Sequence, residues 1–267
     1  MTPAQERRLD FLVEAFKADA ALRDDDVRTP ADADGKRRLL RSLMNVRLPK
    51  KIDEAVLAVQ DEYLRERIRE RGIVSPEEIP VVRDRISIWR GDITRLAVDA
   101  VVNAANSGML GCFVPMHACI DNCIHTFAGV RLRAECAAKM ARLKAEHGED
   151  YEQPTAAPML TDAYNLPARK IVHVVGPIAR NGTTPALEDE LAACYRNVLD
   201  VCLENGLESV AFYCISTGVF RFPNAKAAEI AVRTTTDWLS RHRGALERVI
   251  FDVFGDEDRA CYERLLR

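Results

Sequence analysis

Gly91-Asp92-Ile93-Thr94, followed by Val98-Asp99-Ala100-Val101-Val102-Asn103-Ala104-Ala105-Asn106, is the stretch on which the reading of this chain turns. It comes directly after the β-rich run Ile86 to Arg90. Small residues at the carboxyl end of a strand let a ligand approach the backbone, and α/β sheets place their ligands at those ends. An Asp after a Gly is by itself a turn former. The adjoining Asn103 and Asn106 give it more weight, because two amides at a strand end are costly to bury without partners.

Further β-rich runs lie at Ala100 to Asn103, Lys170 to Val175, Val210 to Ile215 and Val249 to Phe254, and helical patterns separate them. That alternation predicts an α/β layer fold with a mixed sheet. In the clearest helix Leu187, Leu191, Tyr195, Val198, Leu199 and Cys202 share a face, and Gly206 follows as a stop signal. Asn224 is placed as the N-cap of another helix, over residues 225–240.

Toward the N-terminus the pattern changes. Leu9, Leu12, Val13 and Phe16 recur at helical spacing, a polar turn spans Pro30 to Gly35, and Ile52 to Ile68 reads as a second amphipathic segment. With Ile73 to Pro80 as a linker, the chain divides into a small helical unit, residues 1–80, and an α/β domain, residues 81–267.

A length of 267 residues with 48% hydrophobic composition suffices for one sizeable core and a small second unit. The formal charge of −3 offers no global attraction to nucleic acid or to an anionic membrane, so any anion site must be built locally. No apolar run approaches the roughly 20 residues of a membrane span, and Met1 to Leu12 lacks a signal-peptide core; a cytoplasmic protein is expected. The eight cysteines are therefore read as thiols, with clustered ones as candidate metal ligands.

Cys112, His117 and Cys119 fall within eight residues, and Pro115 bends the backbone between them, so they can converge on one ion. Thiolate and imidazole together favour zinc, and three protein ligands leave an open position suited to a catalytic metal. Cys123 and His125 are alternative fourth ligands; two apart in a helical run, they lie on different faces. Asp121 is either an acid at the site or the cap of the helix that starts near Asn122. Downstream, Ser216-Thr217-Gly218-Val219-Phe220 passes from a strand into a small-residue turn before a helix, where successive N–H groups can cradle a pyrophosphate.

In order, Gly-Asp-Ile-Thr at 91–94, Asn-Ala-Ala-Asn at 103–106, Ala-Gly at 128–129 and Ser-Thr-Gly-Val-Phe at 216–220 resemble the macrodomain family, over a span from about Ile86 to the C-terminus. Where most of that family has a run of glycines, this chain has Cys112 to Cys119, which resembles the zinc-containing, mainly microbial subclass. The resemblance implies a three-layer α/β/α macrodomain with a mixed central sheet, preceded by a helical unit. It implies zinc-dependent removal of ADP-ribose from mono-ADP-ribosylated protein, glycohydrolase or esterase in type, the target being in related systems a lipoyl-carrier protein. An ADP-ribose reader with a structural zinc is the alternative.

By the same resemblance Asp92, with Ile93 beside it, holds the adenine amino group, residues Ser216, Thr217, Gly218, Val219 and Phe220 wrap the phosphates, and Asn106 contacts the distal ribose. Cys112, His117 and Cys119 hold zinc, and Asp121 stands with Asn106 as a catalytic residue. Arg221 and Ala156 stand where relatives tend to have glycine.

Overall fold

The computed structural model describes residues 1–23 and 25–267. Seven strands form one sheet: β1 (Val81–Arg83), β2 (Ile86–Trp89), β3 (Ala100–Ala105), β4 (Met159–Asp162), β5 (Lys170–Val175), β6 (Ser209–Tyr213) and β7 (Arg248–Asp252), in the order β1-β2-β7-β6-β3-β5-β4. The five inner strands are parallel, and the edge strands β1 and β4 pair antiparallel. The five inner strands are the runs legible in the sequence, because a parallel strand buried on both faces must be apolar nearly throughout. The edge strands are three and four residues long and carry no comparable pattern.

Side-chain alternation along each strand feeds two cores. Ala100, Val102, Val172, Val174, Val210, Phe212, Val249 and Phe251 face one side, where α6 (Pro185–Glu204), α7 (Asn224–Arg241) and α8 (Asp256–Leu266) cover them. Val101, Ile171, Ala211 and Ile250 face the other, under α4 (Ile120–Ala128) and α5 (Val130–His147). The result is the expected three-layer α/β/α architecture with a mixed central sheet. One helix start differs from the expectation: α7 begins at Asn224 itself, with Pro223 as N-cap. The Asn224 amide instead donates to Asp258 Oδ1 at 2.7 Å, tying α7 to α8. No helix among the described residues is long and apolar enough to cross a membrane.

The N-terminal residues form α1 (Pro3–Asp19), α2 (Ala33–Val46) and α3 (Glu54–Arg71). Thr2, Asp32 and Asp53 cap them, each accepting a backbone N–H of the first turn, and Leu9, Leu12, Phe16, Leu40, Leu43 and Leu64 make their shared core. That core also takes in Val130 of α5, while Ile68 and Ile79 are buried in the core beneath the sheet. Polar contacts cross the same boundary. Gln60 accepts from the Val130 N–H at 3.2 Å, Asp61 accepts from Asn165 at 2.8 Å, and Arg133 donates to the backbone of Met44 and Arg47.

Removing residues 1–80 therefore exposes apolar side chains of the α4–α5 layer and strands several buried donors, each costing about 1–3 kcal/mol unpaired. The expected product is an aggregated chain, checked by gel filtration. A monomeric, folded 81–267 fragment would show the helices to be an independent appendage.

Candidate active site

Because β2, β3, β5, β6 and β7 run parallel, their carboxyl ends share one edge of the sheet, and the loops that leave them build the site. Asp92 follows β2 and Asn106 follows β3. The 216–220 loop follows β6, and Val253 and Phe254 follow β7.

On the β6 loop, the Phe222 N–H donates to Ser216 O at 3.0 Å and the Arg221 N–H to Gly218 O at 3.1 Å. The N–H groups of Thr217, Gly218, Val219 and Phe220 make no backbone hydrogen bond among the described residues, so the loop presents a run of free donors suited to an anion. The loop packs tightly against the end of β5. A Cβ on Gly176 would lie 2.1 Å from Ser216 Oγ and 2.8 Å from Ile215 Cγ2, so a side chain there would have to displace both. Arg221 and Ala156 both sit at left-handed φ, +58° and +62°, the region that favours glycine.

At the β2 end Asp92 accepts from the Thr94 N–H at 3.0 Å and from Thr94 Oγ1 at 2.6 Å, capping a single 3₁₀ turn. Its carboxylate is also paired with Arg71 of α3, whose guanidinium lies 4.0 Å above the Phe127 ring. Ile93 is buried, which leaves only its backbone for a ligand. Two residues the sequence did not single out stand beside this turn. Phe254 is 72% exposed and offers an open aromatic face at the sheet edge. Asp252 is buried and accepts from the Gly91 N–H at 3.2 Å; burial pushes its carboxyl up to about 8.

The Asp252 shift carries a stability consequence. Between the ordinary carboxylate range and about 8 the folded chain holds a proton that the unfolded chain has lost, so stability is greatest on the acid side and falls as pH rises through that window. Asp252→Asn removes the effect while keeping an acceptor for Gly91. Relative to wild type it should gain on the order of a few kcal/mol between pH 5 and pH 8. Thermal unfolding at the two pH values decides it; parallel shifts of the two proteins would exclude a neutral Asp252.

The segment between β3 and α4 brings Cys112, His117 and Cys119 together, with all three donor atoms within 4.8 Å of one another. Cys112 Sγ lies 3.5 Å from His117 Nδ1, close to the ~3.6 Å edge of a tetrahedron with zinc–ligand bonds of about 2.1–2.3 Å. Two sulfurs and one imidazole fit zinc by softness as well as by spacing. Cys119 is also the N-cap of α4: its sulfur accepts from the Asn122 N–H at 3.4 Å. Asp121 is thus inside the first turn and is not the cap.

Neither alternative fourth ligand joins the group. Cys123 lies 3.6 Å from Arg41 Nη2, and His125 points inward, buried. His125, Cys136 and His173 form a second close set, yet both nitrogens of His173 are already engaged, by Asn103 at 3.0 Å and by Thr161 at 2.9 Å.

Asp121 is buried where β3 and α4 meet. Its Oδ1 accepts from Asn103 Nδ2 at 2.8 Å and its Oδ2 from Asn106 Nδ2 at 3.2 Å, while His125 Nε2 approaches to 3.6 Å. Burial raises the Asp121 carboxyl to about 6, against the pull of the two amides and Arg133, and burial holds His125 well below its ordinary value, hence neutral. A Cβ on Gly111 would meet the His125 ring at 2.8 Å, so that left-handed residue lets the backbone leading into the Cys112–Cys119 segment pass over the histidine. The sequence marked Asn103 as a strand-end amide in need of a partner and His125 as an alternative ligand, but not their approach to Asp121, for which the signal is position: Asn103 three residues before Asn106, and His125 one turn along α4 from Asp121.

The Macro domain family pattern matches residues 102–231. A protein-ADP-ribose hydrolase from Treponema medium is 48% identical over 244 residues, covering 90% of this chain and 91% of that protein. The chain belongs to the macrodomain family. This macrodomain is also 40% identical over 258 residues to a protein-ADP-ribose hydrolase of Staphylococcus aureus (strain MRSA252), with 96% and 94% of the two chains covered. Among solved structures, the Trypanosoma brucei macrodomain in complex with ADP-ribose superposes with a TM-score of 0.65 at 31% identity, over 85% of this macrodomain and 95% of that chain. The Oceanobacillus iheyensis macrodomain with ADP gives 0.60 at 34% identity, over 70% and 93%.

Proposed function

We propose that this macrodomain is a zinc-dependent hydrolase that removes ADP-ribose from mono-ADP-ribosylated protein. The observation that carries the reading is Asp121, buried under two strand-end amides and two residues from Cys119, at the same carboxyl edge of the sheet as a loop of unpaired N–H groups. The relatives named as protein-ADP-ribose hydrolases, aligned over nearly the whole chain, support the same activity.

In this reading the 217–220 N–H groups take the pyrophosphate, Asp92 and the face of Phe254 take the adenine, and the distal ribose lies between Asn106 and the metal segment. Cys112, His117 and Cys119 would hold zinc, which when bound supplies polarisation of an oxygen and charge stabilisation, tempered by two thiolates. Asn106 orients the ribose, and Asp121, held by Asn103 and Asn106, accepts a proton from the attacking water. The bond from ribose to the protein side chain breaks, the water oxygen becomes the ribose hydroxyl, and the leaving side chain takes a proton. The proposed target is a lipoyl-carrier protein, supported by the likeness to the zinc-containing subclass alone, and a cytoplasmic location accords with such a target.

Release of ADP-ribose from a mono-ADP-ribosylated protein, before and after chelation, tests the activity; binding without any release would make the chain a reader. Calorimetry tests the cleft. ADP-ribose is expected to bind more tightly than adenosine, which lacks the pyrophosphate, and Asp92→Ala should cost roughly 1–3 kcal/mol. Equal affinity for the two ligands removes the phosphate role of the β6 loop.

A further inference from the structure

Between α2, α3 and the start of the metal segment lies a groove of about 190 Å³ that the catalytic reading leaves unused. Arg37, Arg38, Arg41 and Arg67 line it, and no Asp or Glu does. Four cations in one groove stand out in a chain whose formal charge is −3. Arg37 pairs with Asp34 and Arg67 with Glu70, each three residues away on its own helix, contacts that leave guanidinium donors for an incoming carboxylate, and Arg38 and Arg41 pair with no carboxylate among the described residues. Arg41 donates instead to His117 O at 2.8 Å and to Asn122 Oδ1, so the groove is braced directly on the metal segment. Leu40, Met44, Tyr63 and Leu64 give it a buried apolar floor, and Met116, next to His117, forms part of its wall.

We propose that this groove docks an acidic segment of the ADP-ribosylated protein, one that places carboxylates against Arg38 and Arg67 and an apolar side chain on the floor. The charge of the lining selects an anionic partner. An apolar floor under an arginine rim suits a peptide better than an isolated anion, whose desolvation the floor would not repay. Because Met116 links groove and metal segment, a segment seated here brings its neighbouring modified side chain to the ribose end of the cleft. The N-terminal helices thereby choose which modified protein is processed. This rests on the hydrolase reading only for its consequence; peptide binding is testable without turnover.

The test uses the full chain and a labelled peptide alternating pairs of Glu with single Leu, against the same peptide with Gln for Glu. The Glu peptide should bind at least about tenfold more tightly and weaken as salt rises. Arg38→Glu with Arg67→Glu, leaving Arg41 in place, should abolish that preference, and Arg38→Lys with Arg67→Lys should largely keep it. The Glu variant should also raise KM by roughly tenfold for an ADP-ribosylated peptide flanked by Glu, with kcat and the affinity for free ADP-ribose unchanged. Equal binding of the two peptides, displacement by inorganic phosphate at the same concentration, or a fully competent Glu variant would each overturn the proposal. Acidic-peptide binding with no hydrolysis of any substrate would leave the groove standing and remove the hydrolase.

Discussion

Cys119→Ser should lose the metal and with it at least about 100-fold in hydrolysis of ADP-ribosylated protein, while free ADP-ribose still binds within a few-fold of wild type. A hydroxyl is rarely ionised and too hard a donor for a site otherwise made of Cys112 Sγ and His117 Nδ1. The serine Oγ can take over the N-cap, since Ser is a preferred cap and the Asn122 N–H already points at this side chain. The helix should therefore survive, which separates metal loss from unfolding. Elemental analysis, circular dichroism and a release assay on one preparation check the three parts. A folded, metal-free variant that hydrolyses at the original rate would reduce the metal to a structural role or none.

Asp121→Asn should be as damaging by a different route. It keeps the volume and one acceptor for Asn103, but it removes the carboxylate that Asn103 and Asn106 hold in place. The loss of a positioned proton acceptor corresponds to about 10²–10⁴ in kcat, with zinc content unchanged. Asn106→Ala should cost about 100-fold in kcat, through a carboxylate and a ribose each free to drift, and little in affinity for ADP-ribose. Single-turnover kinetics at saturating enzyme reads both. Full turnover in the Asp121 variant would move the proton acceptor elsewhere, and full turnover in the Asn106 variant would remove its positioning role.

Residues adjacent in sequence carry most of the pattern that specifies the fold class. The inner strands declared themselves by composition, because burial on both faces leaves little room for polar residues at Val101, Val172 or Ile250. The convergence of Cys112, His117 and Cys119 was legible because three donors and a proline fit within eight residues, so local geometry alone limits their separation. The 216–220 turn was legible from small residues at a strand-to-helix junction.

Tertiary structure decided whatever depends on distant segments meeting. Asn103 and Asp121 are 18 positions apart, and only the packing of α4 on the sheet makes one the hydrogen-bond partner of the other. Arg71 reaches Asp92 and Arg41 reaches His117 across the boundary drawn at residue 80, because charged helix surfaces in a sequence do not say which face will be covered. Phe254 and Asp252 read as the end of a strand; in the fold one is left exposed at the sheet edge and the other buried beneath Gly91. The sequence by itself determined the family architecture and the donors available for a metal, since both follow from local pattern and residue chemistry. The environment of Asp121 and the cationic groove were set only by the fold, since burial and the approach of like charges are properties of packed surfaces.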